Sequence, residues 1–364
     1  MPLDNYVTLG RSGLRVSPFC LGAMTFGEDL GWGSSVKDSE AILDRYIELG
    51  GNFIDTANFY TKGHSEKIIG DHLSHDREKR DRVVLATKFS GNLYVGDPNG
   101  GGSSRKSIVA ACEQSLRRLR TDYIDLYWLH NWDALTPIEE TMAALHDLVQ
   151  TGKVRYIGVS DTPAWKVAQA QLIAHFRGWS PFIGLQVEYS LLERTIEGEL
   201  APMAQELGLG MTPWSPLKGG LLSGKYTRKN AGTVTPGGRQ WTASLLEEKS
   251  YAVIDELERT AKELDTTVAR VALAWVQARP GVTSTIVGAR TLAQLDDNLK
   301  ALEVKLTPEQ TSALDALTKP KLNFPADLLE MTRALHAGGT TINGRPAPLT
   351  HIAPFAVTVK GDHY

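Results

Sequence analysis

The chain has 364 residues, 42% of them hydrophobic and 22% charged, with a formal net charge of -3. This is the composition of a globular protein with a substantial core, and intrinsic disorder is excluded as its default state. The near-balanced charge, with no Lys/Arg block interleaved with aromatics, argues against a nucleic-acid partner.

The opening residues carry no basic region followed by an apolar one, and no apolar run is long enough to span a bilayer. A cytoplasmic protein without a membrane partner is expected. Cys20 and Cys112 lie on apolar-patterned segments without metal-type spacing, so they read as buried free thiols and no metal is expected.

Residues 7–17 form two short apolar-alternating arms around a Gly/Ser turn, which predicts a β-hairpin. From there to about residue 290 a short apolar run, a polar or glycine-rich exit and a segment of helical periodicity recur. That alternation predicts parallel strands joined by helical crossovers. The strand candidates are 19–24, 53–55, 83–88, 124–130, 156–160, 185–188, 210–214 and 284–287. Helices are predicted over 37–49, 64–73, 104–119, 137–150, 163–177, 198–207, 244–264, 267–278 and 291–301. Thr136-Pro137 and Thr162-Pro163 are start signals for two of them.

Eight such units without a strand-rich insert favour a closed α/β barrel, the (β/α)8 TIM barrel, over an open doubly wound sheet. The first strand exit, Gly22-Ala23-Met24-Thr25-Phe26-Gly27, lacks the glycine spacing of a dinucleotide fingerprint. The glycines between 91 and 102 are dispersed around Asp97-Pro98-Asn99, which suggests a loop over the barrel mouth and not a phosphate cradle. A further helix follows Thr307-Pro308-Glu309, and residues 320–364 form a Pro/Gly-containing tail with one helix near 325–336. The expected organisation is a single barrel over 1–319 and a C-terminal extension over 320–364 that serves as a lid or a subunit contact.

In such a barrel the active site lies at the carboxyl ends of the strands. Strand two ends in Asp55 with Tyr60 close behind, strand three ends in Lys88, and strand four ends in His130. Singly, each has an ordinary structural explanation. Jointly, at successive strand ends, they suit proton delivery to a carbonyl oxygen while hydride arrives from elsewhere. A free phenol has a pKa of about 10, and a nearby cation lowers it. Lys88 is the natural cation, with Asp55 holding it and offsetting its charge. His130 either orients the carbonyl or shares the proton transfer.

With Asp55, Tyr60, Lys88 and His130 in this order, the chain resembles the aldo-keto reductase superfamily over roughly residues 6 to 317. Gly158-Val159-Ser160-Asp161, Gln186-Val187-Glu188-Tyr189, Trp214-Ser215-Pro216-Leu217 and Gly288-Ala289-Arg290 with Gln294 and Asn298 strengthen the likeness. The resemblance implies an NAD(P)-dependent reductase acting between a carbonyl and an alcohol, with NADPH the usual cofactor and NADH possible. It places Ser160, Asp161 and Gln186 at the carboxamide and Trp214 on the nicotinamide ring. It sets Ser215, Leu217, Gly219 and Lys225 along the pyrophosphate. Gly288, Arg290, Gln294, Asp297 and Asn298 belong at the adenosine end, and Thr25 is a further cofactor contact.

Asp161 stands where many relatives have asparagine, and Gly288 where several have lysine, which leaves Arg290 as the partner for a 2'-phosphate. Aspartate followed by Thr162-Pro163-Ala164-Trp165 resembles the aryl-alcohol dehydrogenase and norsolorinic-acid reductase branch. Trp32, Tyr94, Asn131 and Trp132 are expected to wall the substrate pocket and suit a bulky or planar carbonyl compound or a sugar ring. Two other readings are a slow-turnover redox sensor, like the potassium-channel β subunits of the same fold, and a barrel isomerase or lyase. A homo-oligomer is compatible with the sequence.

Overall fold

The computed structural model of the chain describes residues 2–230, 244–347 and 349. The chain begins with a hairpin of β1 (Val7–Thr8) and β2 (Arg15–Val16), paired antiparallel. Its apolar side chains Leu9 and Val16 are fully buried. Gly10 follows at φ +56°, and a Cβ there would meet backbone atoms of Ile183, Gly208 and Gly210. Only glycine tolerates both that conformation and that approach. The Arg11 N–H donates to the Gly208 carbonyl at 2.8 Å, so the hairpin closes the amino-terminal end of the barrel.

Eight parallel strands follow: β3 (Phe19–Gly22), β4 (Phe53–Asp55), β5 (Val84–Phe89), β6 (Ile124–Leu129), β7 (Val154–Ser160), β8 (Phe182–Glu188), β9 (Gly210–Trp214) and β10 (Thr285–Gly288). They run in sequence order from β3 to β9, with β10 on the other side of β3. Met211 closes the ring. Its N–H donates to the Gly281 carbonyl at 3.1 Å, and its carbonyl accepts from Thr283 N–H at 2.8 Å. The barrel is thus the (β/α)8 TIM barrel expected from the eight repeats.

Strand β8 starts three residues before the predicted 185 because Gly184 belongs to it. The fully buried Trp128 on β6 requires this glycine and another. A Cβ at Gly158 would lie 2.3 Å from its ring, and one at Gly184 would lie 2.9 Å away. Glycine inside a strand here marks a close approach and not a break. Trp128, Cys20, Phe53, Val84, Ala86, Leu126 and Ile286 form the inner core with the hairpin's Leu9 and Val16.

The helices surround the barrel: α1 (Val36–Glu48), α2 (His64–Leu73), α3 (Arg77–Arg82), α4 (Arg105–Leu119), α5 (Ile138–Gln150), α6 (Ala164–Arg177), α7 (Leu200–Leu207), α8 (Glu248–Glu263), α9 (Val268–Gln277), α10 (Leu292–Leu299), α11 (Pro308–Thr318) and α12 (Ala326–Ala337). Apart from α3 and α12, their apolar faces and the outer faces of the strands form the larger core. Side-chain oxygens of Ser35, Ser104, Thr267 and Thr291 cap helix starts, and Thr307 with Gln310 makes a capping box.

The tail leaves α11 beside Gly198, next to Leu322 and Ala326. Among its described residues is a small hairpin of β11 (Thr341–Ile342) and β12 (Arg345–Pro346). Cys20 and Cys112 are buried free thiols. Among the described residues, no helix is long and apolar enough to cross a membrane.

Candidate active site

Asp55 is the last residue of β4, Lys88 lies in β5, and His130 directly follows β6. Adjacent parallel strands therefore bring three ionisable groups to one rim. Lys88 is wholly buried and Asp55 is 3% exposed. The Lys88 ammonium donates to Asp55 Oδ2, to the Thr56 carbonyl at 3.0 Å and to the Tyr60 hydroxyl at 3.2 Å. All three of its protons are satisfied. The other oxygen of Asp55 accepts from Gln186 Nε2 at 3.1 Å. This complete pairing offsets the cost of burying both charges.

Burial pulls the Lys88 pKa down, but Asp55 and then Tyr60 outweigh it and hold the ammonium well above its usual range. Lysine is accordingly a fixed cation. At Tyr60, burial raises the phenol pKa, Lys88 lowers it, and Asp55 raises it again, with a net upward shift. The sequence argument foresaw the lowering by Lys88, and desolvation exceeds it here.

Tyr60 begins a tight turn after β4. Thr61, Lys62 and Gly63 follow at φ 46°, 59° and 89°, a left-handed run that costs energy at the two non-glycine positions. The Thr61 hydroxyl fixes the turn by donating to the Phe26 carbonyl at 3.0 Å and accepting from Ser65 N–H at 2.9 Å. The Tyr60 ring meets the His130 ring edge-on, with centroids 5.8 Å apart. Burial, with Lys88 second, pushes the His130 pKa down to about 2. The imidazole is neutral, and its Nδ1 is buried without a hydrogen-bond partner.

A cavity of about 720 Å³ opens beside these groups, lined by Asp55, Tyr60 and His130, with Lys88 behind the wall. The same lining includes Thr25, Ser160, Asp161, Gln186, Trp214, Ser215, Leu217, Gly219, Lys225, Gly288, Arg290, Gln294, Asp297 and Asn298. Residues scattered over 270 positions of sequence thus share one wall. The loop after β9 is unusual in its backbone: Ser215, Lys218, Gly219 and Gly220 all have positive φ. The Ser215 hydroxyl accepts from Gly219 N–H at 3.0 Å. At the opposite wall the Thr25 hydroxyl donates to the Ala289 carbonyl at 2.9 Å and Asn298 Nδ2 to the Gly288 carbonyl at 3.2 Å. Asp297 already holds Arg270 Nη2 at 2.6 Å.

Trp32, Tyr94, Asn131 and Trp132 stand outside this lining. Trp132 packs edge-on against Trp165, with centroids 5.6 Å apart, and Tyr94 is half exposed. Instead Met24, Phe59 and Tyr226 supply large side chains to the wall. Phe59 stacks on His130 with centroids 5.0 Å apart and 26° between planes. Its place directly before Tyr60 was the available signal for it.

The Aldo/keto reductase family model matches residues 18–319. An uncharacterized oxidoreductase of Bacillus subtilis, YrpG, is 43% identical, covering 84% of this chain and 93% of its own. A norsolorinic acid reductase of Emericella nidulans is 37% identical over 87% of this chain and 82% of its own. An aryl-alcohol dehydrogenase [NADP(+)] of Phanerodontia chrysosporium is 37% identical over 86% and 85%. With the family model spanning most of the chain and such relatives matched nearly end to end, this protein belongs to the aldo/keto reductase family and is an NAD(P)-dependent oxidoreductase.

Proposed function

We propose that the protein reduces an aldehyde or ketone to the alcohol, reversibly, with NADPH as cofactor and Tyr60 as proton donor. The observation that carries this reading is the hydrogen bond from Lys88 to the Tyr60 hydroxyl at 3.2 Å, with Asp55 behind the ammonium and the phenol facing the cavity. A phenol beside a fixed cation can release a proton to a carbonyl oxygen because the resulting phenolate is stabilised where it forms. Neutral His130 donates a hydrogen bond to that oxygen through Nε2–H, the tautomer that leaves its unpartnered Nδ1 without a proton. In the reverse direction the same phenolate accepts the alcohol proton.

The cavity suits a nicotinamide dinucleotide. The Ser160 hydroxyl is buried in its wall without a hydrogen bond of good geometry, and the loop after β9 brings Ser215, Leu217, Gly219 and the cationic Lys225 to the same wall, where a pyrophosphate would find a positive charge. We assign Ser160, Asp161 and Gln186 to the carboxamide, Trp214 to the face of the nicotinamide, and Ser215, Leu217, Gly219 and Lys225 to the pyrophosphate. Thr25, Gly288, Arg290, Gln294, Asp297 and Asn298 take the adenosine end, with Arg290 at the 2'-phosphate. When bound, the nicotinamide supplies the hydride.

The relative from Phanerodontia chrysosporium is named for aryl alcohols and NADP(+), which supports an aromatic or planar substrate and NADPH here. Residues 1–319 act as one barrel unit, and 320–364 as an appended segment.

A panel of aryl and alkyl aldehydes and ketones, measured with NADPH and with NADH, tests the proposal. Turnover with NADPH supports it. Tight NADPH binding without turnover of any carbonyl compound overturns it in favour of a redox sensor.

A further inference from the structure

Gly91 follows β5 and the two residues after Lys88, and it does not line the cavity. Its carbonyl accepts from Asn58 Nδ2 at 2.9 Å, which ties it to the segment carrying Tyr60. That segment is itself anchored on β5, with Thr56 N–H donating to the Ala86 carbonyl at 2.9 Å and Asn58 N–H to the Lys88 carbonyl at 3.0 Å. The Gly91 backbone therefore cannot retreat from residue 59 without disturbing the catalytic strand.

A Cβ on Gly91 would lie 2.2 Å from Phe59 Cδ1, 2.8 Å from Cγ and 3.0 Å from Cβ of the same residue. These three nearest atoms all belong to Phe59, and Gly91 has no left-handed φ that would itself demand glycine. Its missing side chain leaves space for one ring. That ring stacks on His130 at 5.0 Å and meets Tyr60 edge-on at 5.3 Å, so the two groups facing the carbonyl share one aromatic neighbour. Phe59 is 42% exposed and lines the cavity, so it has room to swing toward the cavity if displaced.

Resting on the carbonyl-reductase reading of the site, we propose that Gly91 is a specificity-determining position that acts through Phe59. By admitting the ring against His130 it builds an aromatic wall beside the reacting carbonyl, and that wall favours flat aryl carbonyl substrates over alkyl ones. An aryl ring gains an edge-to-face or offset contact with Phe59 that an alkyl chain lacks. The wall changes selection among substrates, while the hydrogen bond from Lys88 to the Tyr60 hydroxyl involves neither Gly91 nor Phe59.

The test compares the parent, Gly91→Ala, Phe59→Ala and the double variant on benzaldehyde and butyraldehyde, with NADPH as cofactor. Gly91→Ala and Phe59→Ala each lower the benzaldehyde-to-butyraldehyde ratio of kcat/KM by about five- to tenfold, mainly through KM for benzaldehyde. The double variant matches Phe59→Ala alone, because once the ring is gone the two closest clashes of alanine at 91 are removed and only the Cβ of residue 59, at 3.0 Å, is left beside it. The NMR shift of the His130 ring protons, which sense a stacked phenyl group, moves in Gly91→Ala as it does in Phe59→Ala. An unchanged substrate ratio in Gly91→Ala, or additive losses in the double variant, overturns the inference while leaving the reductase reading intact. A parent inactive on both aldehydes, and on the wider panel, overturns that reading and this inference with it.

Discussion

The indole Nε1 of Trp214 donates a hydrogen bond of 3.1 Å to Oδ1 of Asp161, joining the end of β9 to the residue after β7. The carboxylate therefore orients the ring assigned to the nicotinamide face, beyond any direct contact it makes with the cofactor. Asparagine also offers a side-chain oxygen to that N–H.

Asp161 has φ 39°, a left-handed conformation that aspartate and asparagine accept better than other side chains. Asp161→Asn is thus expected to fold and to keep reductase activity within roughly fivefold, since it retains the acceptor for Trp214. Complete loss of activity with intact NADPH binding would assign the charge a direct role.

The pH dependence of the same position can be separated from its geometry. Burial raises the Asp161 pKa from 3.8 to about 6, against the hydrogen bond from Trp214. Between those values the folded state holds a proton that the unfolded chain has released. Its contribution therefore favours the fold below the unfolded pKa and is lost as pH rises through about 6. Removing this group in Asp161→Asn should flatten the fall of melting temperature over that window relative to the parent. Identical melting profiles for the two proteins would contradict it.

Tyr60→Phe deletes the proposed proton donor and leaves the ring packing with His130 and Phe59. Activity is expected to fall by about 10²- to 10⁴-fold, the range for loss of a positioned acid, with NADPH affinity nearly unchanged. Parent-like aldehyde reduction by this variant would refute the mechanism. Lys88→Met is a different kind of change, because it strands Asp55 in a buried site. It should cost about 3–5 kcal/mol of unfolding free energy in addition to activity. Denaturant titration of the two variants side by side separates the chemical role of Tyr60 from the structural share of Lys88.

Gly158 precedes Ser160 and Asp161 and fits against Trp128 inside the barrel. Alanine there brings a methyl group within 2.3 Å of the indole, and the buried ring has no free side to move into. Gly158→Ala is expected to lower stability by about 1–3 kcal/mol through overpacking. A stability equal to the parent in urea titration would show that the barrel absorbs the strain.

What the sequence made legible were features with a local cause. Strand ends carrying Asp55, Lys88 and His130 could be placed because a buried parallel strand is a short apolar run and its exit is a fixed point. Helix α3 was missed because Arg77 to Arg82 carry no apolar periodicity. Its causes are the Asp76 side chain accepting from Lys79 N–H at 3.0 Å and the buried Arg80 paired with Asp125 at 2.8 Å. The tie between Gln186 and Asp55 joins residues 131 positions apart and leaves no trace in spacing. Loop aromatics such as Trp132 were unplaceable for a related reason. A βα loop has no periodicity that fixes which way its side chains face, and its neighbour proved to be Trp165.

The proposed preference for NADPH rests on the far end of the cavity. There Gly288 and Arg290 line the wall and the Arg290 N–H donates to Gln294 Oε1 at 2.9 Å, which fixes the backbone from which the guanidinium extends. A planar guanidinium recognises phosphate oxygens two at a time, and NADH lacks the 2'-phosphate that it would hold. Arg290→Ala is therefore expected to weaken NADPH affinity by about 10- to 100-fold, the worth of charge-assisted hydrogen bonds, and to leave NADH affinity within about threefold. Arg290→Lys keeps the charge without the planar fork and should fall between the two. Dissociation constants from quenching of tryptophan fluorescence by each cofactor measure this directly. Equal losses for NADPH and NADH in Arg290→Ala would remove Arg290 from the 2'-phosphate and place the source of cofactor preference elsewhere in the chain.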